Sequence, residues 1–166
     1  ISGNAVVSSP GATIENGVID GNLYISQGAG NGDVYLKDLE IKGDLVVEGG
    51  GANSVHATNV KVSGKTVVNS FFGTRIVADN LSRLGNVTVK NSPALVSPLN
   101  TVFGTITIDE NRPSGAALTL SGKFSKLAND ADDVKINVLT GGSVVSFVNN
   151  GTYSATGGGR LGNTVG

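Results

Sequence analysis

Hydrophobic and polar positions between Gly21 and Val89 repeat at a nearly fixed interval. Gly21-Asn22-Leu23-Tyr24-Ile25, Gly43-Asp44-Leu45-Val46-Val47, Gly64-Lys65-Thr66-Val67-Val68 and Gly85-Asn86-Val87-Thr88-Val89 share one pattern: Gly, polar, mostly apolar, variable, apolar. Their glycines stand 22, 21 and 21 residues apart. A period of this size marks a stacked-repeat architecture. Within each repeat the apolar residues alternate in short runs, the period of a strand rather than a helix. The first repeat predicts strands at Leu23–Ile25, Val34–Leu36 and Leu39–Ile41. The second predicts them at Leu45–Val47, Val55–Ala57 and Val60–Val62, and the third at Thr66–Val68, Ile76–Ala78 and a degenerate piece at Leu81. Three short strands per repeat, separated by tight bends, predict a parallel β-helix with coils of about 21–22 residues. Strand twist and the handedness of parallel connections point to the right-handed form.

Alternation assigns the interior. Leu23, Ile25, Val34, Leu36, Leu39 and Ile41 face inward in one coil, and Leu45, Val47, Val55, Ala57, Val60 and Val62 in the next. The larger of these contribute about 1.5–3 kcal/mol each when fully buried. A second register lies five residues before each glycine, at Asn16, Asp38, Asn59 and Asn80. Asn and Asp tolerate left-handed backbone and hydrogen-bond nearby main chain, so this column predicts a recurring corner.

Regularity holds best over residues 13–91. Beyond them, strands are expected at Thr105–Ile108, Ala117–Leu120, Val134–Val138 and Val144–Val148, as looser coils over 92–150. Asp109–Ser114 and Ala128–Asp133 read as excursions, Lys123–Leu127 as a short strand or helical turn, and 151–166 as a cap or linker within a single domain.

Composition narrows the partners. The 166 residues carry a net charge of -1 and no basic stripe, which argues against nucleic acid. No apolar run approaches the roughly 18 residues of a membrane span, and no signal peptide is visible. Absence of Cys excludes disulfides and thiolate metal sites. The chain starts at Ile1 and contains no Met, which reads as a processed or excised piece of a larger protein. Low charge with much Gly, Asn, Ser and Thr suits an extracellular, bacterial cell-surface location.

Candidate chemistry falls on the outer faces. The second strand column presents Asp33, Tyr35 and Lys37, then Ser54, His56 and Thr58, then Arg75, Val77 and Asp79, with Tyr35 and His56 as stacked neighbours. The first presents Tyr24 between Asn22 and Ser26, and the third sets Glu40 beside Lys61 as a cross-strand charge pair. A flat polar surface with aromatic rings is what an extended polysaccharide requires, since sugar rings combine an apolar face with a rim of hydroxyls. The candidate sugar contacts are therefore Tyr35, His56, Asp33, Lys37, Tyr24 and Arg75. With no Trp and three Tyr, the aromatic supply is small. Phe71-Phe72 falls in a bend, either packed on the coil edge or exposed as a hydrophobic contact. A lone His offers no Ser-His-Asp set; Asp33, Lys37, Arg75 and Asp79 are the residues that a polysaccharide lyase would need to gather. Asp130, Asp132 and Asp133 form the densest acidic stretch and are the candidate ligands of a structural calcium ion.

The run Gly32-Asp33-Val34-Tyr35-Leu36-Lys37-Asp38-Leu39-Glu40-Ile41-Lys42-Gly43-Asp44-Leu45, followed by Gly49-Gly50-Gly51-Ala52-Asn53-Ser54-Val55-His56, resembles β-helical modules of large surface proteins of Gram-positive anaerobes and spore-formers. Among these it is most similar to family 54 carbohydrate-binding modules, which accompany laminarinase-type glycoside hydrolases. The resemblance implies a non-catalytic module that holds an enzyme on insoluble β-glucan, xylan or chitin, with bound calcium as an option. A structural spacer or wall-assembly module without sugar binding is the competing expectation.

Overall fold

The computed structural model describes the backbone of residues 1–165 and the side chains of residues 1–163. It is all-β, 54% strand and 2% helical, wound as a parallel β-helix of about 8 turns. One face stacks Ala5–Val7, Leu23–Ile25, Leu45–Val47, Thr66–Val68, Gly85–Val89, Phe103–Ile108, the second half of Ala117–Asn129, Ser143–Asn149 and Arg160–Val165. A second face stacks Ala12–Ile19, Val34–Ile41, His56–Val62, Arg75–Ala78, Ala94–Ser97, the first half of Ala117–Asn129, Val134–Val138 and Tyr153–Thr156. Tyr24 pairs with Val46, Val46 with Val67 and Val67 with Thr88, the interval of the glycine repeat.

The repeat motif follows from contacts between coils. Asn22 Oδ1 accepts from the N–H of Asp44, and Asp44 Oδ1 from that of Lys65, each across one coil at 2.8 and 2.9 Å. Asn4 and Asn86 do the same for Asn22 and Thr105. The glycine before each acceptor packs on the coil beneath. A Cβ at Gly43 would stand 2.7 Å from the Gly21 carbonyl oxygen, and one at Gly64 2.6 Å from that of Gly43.

The expected second and third strands are continuous in the first two coils. Val34–Ile41 is one strand bent at Asp38, where φ is 49°. Asn16 and Asn59 bend the neighbouring strands with φ of 57° and 52°. The left-handed residue shifts the alternation, so that Leu36 and Leu39 both point inward with Lys37 and Asp38 outside. Asn80 departs from the column and keeps no left-handed backbone. His56 pairs with Val77, 21 residues on, but Lys61 pairs with Arg83, 22 on, so this corner holds one extra residue. Leu81 is consequently exposed rather than a strand residue, and Leu84 fills the core position.

All twelve aliphatics assigned to the interior of the two central coils are buried. Ser54 corrects the outward set: its side chain is fully buried, and its Oγ accepts from the N–H of Val34 at 2.9 Å. Glu40 and Lys61 are neighbours in register, but the ion pair among the described residues is Asp20–Lys42, and His56 Nε2 lies against Asp33 Oδ1.

Beyond Asn91 the stacking continues, Thr88 to Thr107 to Ala128 to Val148. Lys123–Leu127 is strand, part of the 13-residue Ala117–Asn129, which crosses from one face to the other at Gly122 (φ 99°). Larger side chains fill this half: Phe103, Phe124 and Phe147 are buried, the first two stacked at 5.9 Å. The interior column Ile25, Val47, Val68, Val89, Ile108 then changes chemistry to Asn129 and Asn149, joined amide to amide at 2.8 Å. The stretch expected as cap or linker supplies two strands, Tyr153–Thr156 and Arg160–Val165, that add a coil.

Candidate functional site

Parallel pairing dictates which outward side chains meet. Tyr35 stands beside His56 in the ladder, and their rings stack at 4.7 Å between centroids and 10° between planes. The distance matches the ~4.8 Å separation of neighbouring strands, so identical register alone stacks flat side chains. His56 Nε2 lies 3.3 Å from Asp33 Oδ1, with the two side chains about one-third and two-fifths exposed. Lys37 Nζ sits 6.0 Å from the Tyr35 ring centroid, at the outer limit of a cation–π contact. Asp33, Tyr35, Lys37 and His56 therefore form one group on two adjacent strands.

The remaining candidates divide. Arg75 begins the next strand on the same face, two residues before Val77, the partner of His56. Between Asp33 and Arg75 the ladder position belongs to Ser54, which is buried. Tyr24 lies on the other face, where its hydroxyl accepts from Asn22 Nδ2 at 3.0 Å. Asp79 turns into its corner instead of joining Lys37 and Arg75. It accepts from the N–H groups of Asn59, Leu81 and Ser82 and from Ser82 Oγ, at 3.0, 3.2, 2.9 and 2.8 Å. Burial pushes the Asp79 carboxyl up, but these hydrogen bonds outweigh it and hold the group below its ordinary value.

The acidic loop is tied to the coils around it. Asp130 accepts from Asn150 Nδ2 at 2.8 Å, and Asp133 accepts from Ser114 Oγ at 3.0 Å. Arg112, nearly buried, donates to the carbonyls of Ala116 and Asp133 at 2.7 and 2.9 Å, locking the Asp109–Ser114 excursion to the next coil. Burial pulls this guanidinium below its ordinary value against the charge of Asp133. Among the described residues no three His, Asp or Glu side chains gather to hold an ion.

Stacking uses one face of the Tyr35 ring and one of His56, so this pair offers solvent its polar edges more than an aromatic platform. Free aromatic surface lies in the corner loop instead. Phe71 is 71% exposed and Phe72 37%. The sequence pattern could place these two residues in a bend but not decide their packing, because side chains outside a strand follow no alternation. A shallow depression beside the left-handed corner of the second face is lined by Val18, Asp38, Glu40, Asn59 and Lys61.

No family model matches the chain, and neither a curated protein nor a solved structure matches it significantly. The parallel β-helix is the fold; the function rests on the surface chemistry.

Proposed function

We propose that this chain is a non-catalytic polysaccharide-binding module of a secreted, cell-surface protein, and that the outer face bearing Asp33, Tyr35, Lys37 and His56 is its binding surface. The observation that carries the proposal is the Tyr35–His56 stack with Asp33 on one side and Lys37 on the other. A carboxylate, a phenol, an imidazole and an ammonium held together on one face at strand spacing supply donors and acceptors to the hydroxyls of an extended chain. The rigid scaffold fixes them in advance, which lowers the ordering cost of binding. Insoluble β-glucan, xylan and chitin are the ligands this reading favours.

The deciding experiment is retention on those three polymers, with Tyr35→Ala/His56→Ala as the comparison. The wild type is expected to be retained by at least one polymer and the double variant to be weakened about tenfold, a loss of ~1.4 kcal/mol. Passage of the wild type through all three sinks the proposal. Calcium enters this reading at 129–133, where Asp130 and Asp133 also accept hydrogen bonds from Asn150 and Ser114. Such binding would raise the melting temperature by mass action, and equal melting in chelator and in millimolar calcium removes it.

One observation favours a second reading, a rod that sets distance within a surface assembly. Coil follows coil along nearly the whole chain, each hydrogen-bonded to the next. That reading predicts an intact fold with no retention on any polymer.

A further inference from the structure

We propose that Phe71 and Phe72 form the apolar platform of the binding surface, on which the sugar rings of a neutral polysaccharide lie. The inference rests on the polysaccharide-binding reading and adds to it a second contact and a ligand charge class.

Three observations carry it. First, both rings are free: among the described residues neither joins an aromatic stack or a cation–π contact, whereas Tyr35 and His56 cover one another. Second, the loop is held. Phe72 N–H donates to Ser70 Oγ at 3.2 Å, Asn69 Oδ1 accepts from Asn91 Nδ2 of the next coil, and buried Thr74 donates to the Gly49 and Gly50 carbonyls. Two exposed phenylalanines on a loop anchored at both ends lose little freedom when a ligand settles on them. Third, the loop and the run stacked on it are themselves uncharged, with Glu48, Arg75 and Lys90 at their margins. Residues 49–54 and 69–74, stacked at this corner, contain only Gly, Ala, Asn, Ser, Thr and Phe. Amides and hydroxyls around an aromatic pair suit a polyhydroxylated neutral chain better than a charged protein surface or an acidic glycan.

Topology joins this platform to the polar face. The loop runs directly into Arg75–Ala78, whose Val77 is the ladder partner of His56. Six residues separate the strands here, against four in the coil above, so the loop has chain to spare where its upper neighbour has none.

The test compares wild type, Phe71→Ser/Phe72→Ser, Phe71→Tyr/Phe72→Tyr and Phe71→Leu/Phe72→Leu on insoluble β-1,3-glucan, xylan, chitin and polygalacturonate. Circular dichroism melting checks that each is folded. Expected is retention of the wild type and the Tyr pair on a neutral polymer, with loss of about tenfold or more for the Ser and Leu pairs. Because the chain has no Trp, Phe71→Trp supplies a single fluorophore, and its emission should move to the blue on saturation with soluble β-1,3-glucan. If the wild type binds but the Ser pair binds within about twofold of it, or the Trp emission stays fixed at saturation, the platform assignment falls while the polar-face reading stands. Leu variants that bind like wild type overturn it as well, as does tighter wild-type retention on polygalacturonate. Loss of a concentration-dependent dimer in the Ser pair, with sugar retention unchanged, assigns the rings to a second copy of the chain instead. If the wild type binds no polymer, both readings fail together.

Discussion

Asn22 Oδ1 accepts a hydrogen bond from the backbone N–H of Asp44 at 2.8 Å, one full coil away. The contact converts the second residue of the Gly-polar motif into a rung: Asp44 repeats it toward Lys65. Replacing Asp44 with Ala deletes a rung and should cost about 1 kcal/mol, while Asp44→Asn keeps the acceptor and should cost much less. Denaturant unfolding of the two variants measures the difference; equal losses would show that the rung contributes nothing.

The glycine beneath that rung is expected to be less forgiving. A Cβ at Gly43 meets the Gly21 carbonyl oxygen at 2.7 Å, main chain that can move only by opening the inter-coil ladder. Overpacking of this kind costs about 1–3 kcal/mol. Gly43→Ala should therefore lower the denaturant midpoint, whereas Gly73→Ala, with open space but φ of 66°, should lose only the backbone strain, roughly 1 kcal/mol. A Gly43 variant as stable as wild type contradicts the close approach.

Asp79 gives the fold a defined acid sensitivity. Its folded-state pKa is depressed, so the unfolded chain binds the proton more readily. The associated stability is fully present above the unfolded value, near 3.9, and is lost as pH falls through the folded value. Asp79→Asn should flatten that part of the stability profile below about pH 4, with a loss at neutral pH from the weakened corner. An unchanged slope between wild type and variant in this window counts against the assignment.

At the Asx corner, Asn59 has φ of 52° and its Nδ2 donates to Asp38 Oδ1 at 2.7 Å. A β-branched residue would be strained there by roughly 1–2 kcal/mol and would also lose the contact. Asn59→Val should accordingly be destabilising and Asn59→Gly close to neutral, as read by thermal melting.

The scaffold was largely legible in the sequence because its forces are periodic. Leu23, Leu45 and their neighbours had to alternate to bury one side, and Asn16, Asp38 and Asn59 had to recur because one backbone bend recurs. The stack of Tyr35 on His56 followed from the same register. Legibility stopped where a coil breaks period. One inserted residue sent Leu81 outward and Leu84 inward, and Ser54 turned in to satisfy the Val34 N–H, a need set by the coil beneath and invisible in its own segment. Beyond Asn91 the strands could be read but not their stacking, since Gly122 replaces the Asx corner and Phe103, Phe124 and Phe147 replace the small aliphatics. Of the candidate site, the part lying in one ladder came together. Tyr24 sat on another face, and Asp130 and Asp133 accept hydrogen bonds from Asn150 and Ser114.

Tyr153–Thr156 leaves all four of its side chains exposed and pairs, among the described residues, with Val134–Val138 alone. Each coil is thus held by its neighbours, and a coil with a single neighbour is held least. Opening should begin at such a terminus and travel inward like a zip, so amide hydrogen exchange should grade along the axis. Amides of Leu45–Val47 and Thr66–Val68, with partners on both sides, should exchange slowest, and those of Tyr153–Thr156 fastest. The fold would then have no single weakest core, only a distance from its ends.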